Sequence, residues 1–323
     1  MRSARVLIGG TSYVLLLVAF WQAIRFYHVG RAVGGHVVVP FIGLAAMFGL
    51  FWAFGWGVQG WLRARLGAAT PRLLAPGFFA AGVYALLAAP IGDFRAGAAV
   101  AFFALPSGLA LLMHRLAQTE KLTWADLVAL AALGLPIEYG WFRPALPQPG
   151  LSDLPKFLFA DIALYLFLVV RPLKGVGFDL AARWSDVTNG VRHWLYFTPI
   201  GIGLGLALHF IHPHGGWPGV GRLAGAALVT FIFVALPEEL FFRGILQNLL
   251  ETRLGSDRAL LLAAGIFGLS HYVHGPTFNW RYVILAAIAG GFYGRAWRRD
   301  HRLFASALTH TLVDVLWGAW FRL

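Results

Sequence analysis

The chain has 323 residues, of which 59% are hydrophobic and 12% charged, with a mean hydropathy of +0.70. A soluble globular domain carries about 25% charged residues, so an ordinary water-soluble fold is excluded. The net charge of +12 is spread as single cations at the ends of apolar runs and forms no stripe, which excludes nucleic acid as a partner; the absence of cysteine removes disulfides and thiolate metal sites.

Apolar runs near residues 4–25, 36–57, 74–92, 96–114, 124–142, 156–173, 194–211, 224–250, 259–275, 282–297 and 303–321 predict about eleven spans. Each has roughly the 20 residues that a helix needs to cross a hydrocarbon core of about 30 Å. The runs are apolar on every face and do not alternate, so the expected fold is an all-α, polytopic transmembrane helical bundle and not a β-barrel. The first run follows Arg2 and Arg5 as a signal peptide would, but it is too long and lacks a small-residue cleavage site, and it reads as a retained span.

Lys and Arg collect in short cytoplasmic loops. With the N-terminus inside, 17 of the 26 cations fall in inside segments and 8 in outside segments, and Arg243 alone lies within a span. The expected topology is N-in and C-out, with the cations in contact with anionic headgroups. Arg outnumbers Lys 23 to 3 in an Ala- and Gly-rich chain, which points to a bacterial inner membrane.

Two loops organise the chain. The Pro-rich segment 144–154 reads as an external connection, and the mixed-charge segment 174–193 as an amphipathic connection on the cytoplasmic surface. The expected organisation is therefore N-terminal helices of unassigned role over 1–175, a connection over 176–193, and a functional bundle over 194–323. In the first part, Glu138 and Asp161 stand near outer span ends, within reach of Arg143 and Lys156, and read as interfacial or ion-paired.

The pattern changes in the run beginning near Ala224, where Glu238, Glu239 and Arg243 interrupt an otherwise apolar stretch. Glu238 is 16 residues from Arg222 and 15 from Arg253, hence near mid-depth. One ionised side chain at a helix centre costs roughly 2.5–3.5 kcal/mol, so three within six residues imply partners and a purpose. Glu239 and Arg243 are spaced i, i+4 and share a face; Glu238 is rotated by about 100° and is directed elsewhere. Pro237 removes a backbone donor just ahead of the pair and can open the helix to water.

Two later runs bring His to similar depth. His271 lies 13 residues from Arg258 and 10 from Arg281; His310 lies 8 from Arg302 and 12 from Arg322 and is followed at i+4 by Asp314. His274 reads as a packing residue, His209, His212, His214 and His301 as solvated span ends, and Gly290, Gly291 and Gly294 as a close helix-packing face.

A carboxylate in an apolar pocket serves as a general base toward water, with a His sharing the proton, and a second His and an Asp can hold an oxyanion or a metal. There is no Gly-x-Ser-x-Gly, no buried Asp pair in adjoining spans and no His-Glu-x-x-His, so serine, aspartyl and zincin-type chemistries lack their residues. The residues leave two other readings open: a proton- or cation-coupled transporter lined by the same side chains, and a non-catalytic immunity or binding protein.

Glu238-Glu239-x-x-x-Arg243, Phe267-x-x-x-His271 and His310-x-x-x-Asp314, in that order on separate predicted helices, resemble the CPBP or ABI family of CAAX-type intramembrane proteases, which includes the Ras-converting CAAX endopeptidase. The resemblance covers about residues 194–323. It implies an endopeptidase that cleaves membrane-embedded or lipidated substrates near a terminus. Glu238 and His271 would activate water, His310 and Asp314 would stabilise the oxyanion, and Glu239, Arg243 and Phe267 would support the site. Asp314 departs from the Asn that eukaryotic members often carry there, and an ionised Asp cannot donate a hydrogen bond. The expected mechanism has no cofactor; the alternative is a divalent metal such as Zn²⁺ on Glu238, His271 and His310.

Overall fold

A computed structural model describes residues 2–26, 37–66, 69–117, 119–146, 154–272 and 279–322; His274 and most of the Pro-rich loop lie outside the described residues. The described residues form twelve helices. They divide between two compact units, Met1–Thr119 with Thr123–Leu173, and Glu120–Leu122 with Lys174–Leu323.

The first unit holds α1 (Arg2–Phe26), α2 (Val38–Gly55), α3 (Gln59–Leu66), α4 (Ala69–Ala88), α5 (Ala96–Leu116), α6 (Trp124–Glu138) and α7 (Leu154–Tyr165). The chain continues from α7 through a widened π-type turn at Leu166–Val170. Large side chains fill the centre, among them Met47, Phe51, Phe54, Tyr84 and Phe102, all 1% exposed or less. Phe157 of α7 packs against the rings of Phe48 and Phe51 on α2. Asp126 closes a capping box with Thr123 at the start of α6 and also accepts from Arg171 at 2.5 and 3.1 Å. The buried carboxylate thus satisfies a helix end and a buried guanidinium together. Asp161 differs from the expected interfacial pairing. It is fully buried, and neither of its oxygens has a hydrogen-bond partner among the described residues.

The second unit holds α8 (Trp184–Ala207), α9 (Val220–Leu254), α10 (Ser256–Leu269), α11 (Trp280–Asp300) and α12 (Leu303–Trp320). Helix α9 contains two π-type stretches, Phe231–Ala235 and Leu240–Gln247, with the single turn Leu236–Glu239 between them. Pro237 lies in that turn and cannot donate to the ladder. A two-residue antiparallel pairing of His212 with Arg322 and Pro213 with Phe321 joins the end of α12 to the loop before α9.

Five helices among the described residues are long and apolar enough to cross a membrane: Ala4–Phe26, Val38–Gly55, Thr70–Ile91, Ala96–Leu116 and Val220–Leu254. The chain is an all-α, multi-pass membrane protein.

Residues 174–183 have no regular structure, and α8 starts at Trp184. Asn248 donates to the Lys174 carbonyl at 2.8 Å, Trp297 to the Val176 carbonyl at 3.2 Å, and Leu303 N–H to the Gly177 carbonyl at 3.0 Å. Arg302 then binds four acceptor atoms on three residues. It meets Asp186 at 2.7 and 2.9 Å, Asp179 at 3.0 Å and the Ala181 carbonyl at 2.7 Å. Asp186 is fully buried. Truncation of Arg302 would leave that carboxylate uncompensated, so Arg302→Ala is expected to cost about 3–5 kcal/mol, read as a lowered midpoint of thermal unfolding in detergent.

Candidate active site

The site is built from α9, α10, α11 and α12. Glu239 and Arg243 lie one turn apart on α9 and are almost completely buried, with Arg243 Nη1 3.1 Å from Glu239 Oε1. A buried guanidinium needs further acceptors, and Arg243 Nη2 donates to the Gly290 carbonyl of α11 at 3.1 Å. One turn further on, Gln247 repeats the contact with the Gly294 carbonyl at 3.5 Å. A pair spaced i, i+4 on α9 therefore meets two carbonyls spaced i, i+4 on α11.

The glycines permit this approach. A Cβ at Gly290 would stand 3.0 Å from Arg243 Nη2 and from the Phe267 ring, and one at Gly294 would stand 2.4 Å from Leu260 and 2.5 Å from Gln247. Gly291 faces open space. Two of the three glycines thus make the close face, and their role includes exposing acceptors for α9.

Glu239 is the hub. Its Oε1 accepts from Arg243 and from His310 Nδ1 at 2.9 Å, and its Oε2 accepts from the Ser306 hydroxyl. Ser306 is one turn ahead of His310 on α12, so one helix face contributes both contacts. A carboxylate oxygen only accepts, so Nδ1 of His310 carries hydrogen and the opposite nitrogen, Nε2, points the other way. Nε2 stands 3.4 Å from Asp314 and 3.9 Å from Glu238. The ring is held flat against Tyr293, with centroids 4.6 Å apart and planes at 15°.

Burial separates the two sides of this imidazole. Glu239 is fully buried, whereas Glu238 is 19% and Asp314 37% exposed at the side chain. The acids on the Nε2 side reach the open part of the site.

His271 is in the turn that follows α10. Its Nδ1 lies 2.8 Å from the Phe267 carbonyl and 3.3 Å from the Ser270 hydroxyl. A carbonyl oxygen cannot donate, so Nδ1 carries hydrogen here too, and the lone pair of the neutral ring is on Nε2. The Phe267 ring links the members of the site. It packs edge-on against His271 at 4.7 Å and against His310 at 5.8 Å, and the Arg243 guanidinium stacks over it at 4.3 Å. The structure therefore gathers Glu238, Glu239, Arg243, His310 and Asp314 by direct polar contact and adds His271 through the Phe267 ring.

Sequence reasoning overlooked Ser306, Tyr293 and Tyr282. Ser306 carried a usable signal, because it stands four residues before His310 in an apolar run. The tyrosines carried none, since aromatic residues are common throughout these spans.

A metal requires several donors whose lone pairs converge. Among the described residues, no three His, Asp or Glu side chains stand where one ion could bind them all. Both Nδ1 atoms are directed at protein acceptors, and the oxygens of Glu239 face Arg243, His310 and Ser306.

In comparisons with known proteins, residues 221–316 match the family described as type II CAAX prenyl endopeptidase Rce1-like. No curated protein and no solved structure matches the chain. The matched segment takes in α10, α11, almost all of α9, most of α12 and every site residue named above.

Proposed function

We propose that the protein, whose residues 221–316 match the Rce1-like type II CAAX prenyl endopeptidase family, hydrolyses a peptide bond near the terminus of a prenylated or otherwise membrane-anchored substrate, by metal-free general-base catalysis. The observation that carries this reading is the two-sided setting of His310, with Glu239 fixing Nδ1 from the buried side and Glu238 and Asp314 facing Nε2 from the open side.

In the proposed reaction Glu238 accepts a proton from water as the water oxygen bonds to the scissile carbonyl carbon, and the lone pair on His271 Nε2 shares that proton. The carbonyl π electrons move onto oxygen. His310, carrying a second hydrogen on Nε2, donates to this oxyanion, with the surrounding carboxylates balancing the imidazolium charge. As the C–N bond breaks, the proton held by Glu238 and His271 passes to the leaving amine. The products are a shortened chain with a new carboxylate and a released peptide. Glu239 and Arg243 act by holding His310 and not by touching substrate.

The test uses the full chain in liposomes with two probes, a farnesylated C-terminal peptide and a peptide anchored by a transmembrane helix. Mass spectrometry should detect a new C-terminal acid from at least one of them, and complete survival of both would refute the proposal. Addition of EDTA or phenanthroline should leave the rate unchanged. A loss of cleavage that Zn²⁺ restores would overturn the metal-free mechanism while sparing the hydrolytic reading.

A further inference from the structure

An oxyanion is stabilised in proportion to the donors aimed at it, and removal of one donor typically lowers turnover by about 10²–10³-fold. Position 314 is Asp, which in its ionised form only accepts. Nε2 of His310 is therefore a donor facing two acids, at 3.4 Å from Asp314 and 3.9 Å from Glu238. A second donor on that side would complete the site.

Tyr282 is placed to be that donor. Asn279 caps α11 by accepting from the Tyr282 N–H at 3.2 Å, which seats Tyr282 in the first turn of the helix. Its ring stands edge-on to His271 at 4.7 Å, and Phe210 packs against it at 5.3 Å. Phe267 packs edge-on against both His271 and His310, so the Tyr282 ring joins, through His271, the cluster of rings that holds His310. Tyr293 is a poorer candidate, because it is 2% exposed and lies flat against the His310 ring. Tyr282 is only partly buried.

We infer that Tyr282 is a further catalytic residue, whose hydroxyl donates a hydrogen bond to the oxyanion and so takes the part an Asn at position 314 would otherwise play. This rests on the hydrolytic reading above. The phenol keeps its proton throughout: the O–H bond polarises toward the oxyanion as the C–O bond forms, and relaxes when the C–N bond breaks. The carboxylate at 314, 3.4 Å from His310 Nε2, orients His310 between turnovers.

Tyr282→Phe removes only the hydroxyl and keeps the ring contacts with His271 and Phe210. Cleavage of the farnesylated peptide by the full chain in liposomes should show kcat lowered about 10²-fold with KM and the unfolding midpoint little changed. Asp314→Asn, added to Tyr282→Phe, should recover part of the lost kcat, because the Asn amide donates regardless of pH. Glu238→Gln is measured alongside. Wild-type kcat in Tyr282→Phe, with Glu238→Gln inactive, would overturn the inference and leave the hydrolytic reading standing. So would a lower kcat accompanied by an equal loss of fold and no recovery on adding Asp314→Asn. Full activity in Glu238→Gln, or a wild-type chain that cleaves neither probe, would instead remove the hydrolytic reading and this inference with it.

Discussion

Glu238→Gln is expected to reduce cleavage of a membrane-anchored peptide by about 10²–10⁴-fold, the usual contribution of a positioned general base. Gln matches the carboxylate in shape, so the packing of α9 should survive. The Glu238 side chain is 19% exposed, whereas Glu239 and Arg243 are buried. The unfolding midpoint should therefore barely move. His271→Ala should have a similar kinetic effect through loss of the Nε2 lone pair. The decisive measurement is kcat with substrate binding assayed separately, because removal of a base lowers the chemical step without weakening the ground-state complex. Retention of full kcat in both variants would leave the proposed mechanism without a base.

Arg243→Ala carries an expected effect on stability as large as that of Arg302→Ala. It strips a buried partner from Glu239, frees the Gly290 carbonyl and removes the cation stacked on Phe267. Breaking a buried ion pair by truncating one side costs about 3–5 kcal/mol, because the remaining charge stays buried and uncompensated. Arg243→Lys should recover only part of this, since one ammonium cannot reproduce the fork that reaches both Glu239 and Gly290. The double change Arg243→Met with Glu239→Leu separates the two roles of the pair. Apolar replacement of both partners is often neutral for stability, so most of the loss should be recovered, less about 1–3 kcal/mol for the His310 Nδ1–H left without its acceptor. Cleavage should not, because His310 has lost the acceptor that fixes Nδ1. Thermal unfolding in detergent and peptide release from liposomes read the two effects independently.

The glycine face shows how a sequence feature gained meaning from the fold. As a pattern, Gly290, Gly291 and Gly294 indicated close helix packing. In the structure Gly290 and Gly294 also present carbonyls to Arg243 and Gln247, so packing and satisfaction of a buried cation are one arrangement. The reverse holds for Asp161, whose sequence neighbours suggested an ion pair and whose oxygens are buried without a hydrogen-bond partner among the described residues. Helix rotation decided this, and proximity along the chain could not.

The sequence by itself determined the all-helical, multi-pass character of the protein and which of its ionisable side chains interrupt apolar runs. Hydrocarbon leaves an unpaired backbone group or an isolated charge too costly, so the length of apolar runs and the positions of charges within them are legible without coordinates. The pairing of Glu239 with Arg243 was equally local, because residues four apart on a helix are neighbours whatever surrounds them. Only the tertiary structure decided that His310 turns Nδ1 to Glu239 and Nε2 to Asp314 and Glu238, that Ser306 completes the hub, that Phe267 links the two imidazoles, and that Tyr282 packs against His271. Each of these depends on the rotation and separation of α9, α10, α11 and α12. Those are set by packing among side chains distant in the chain, which no local periodicity encodes.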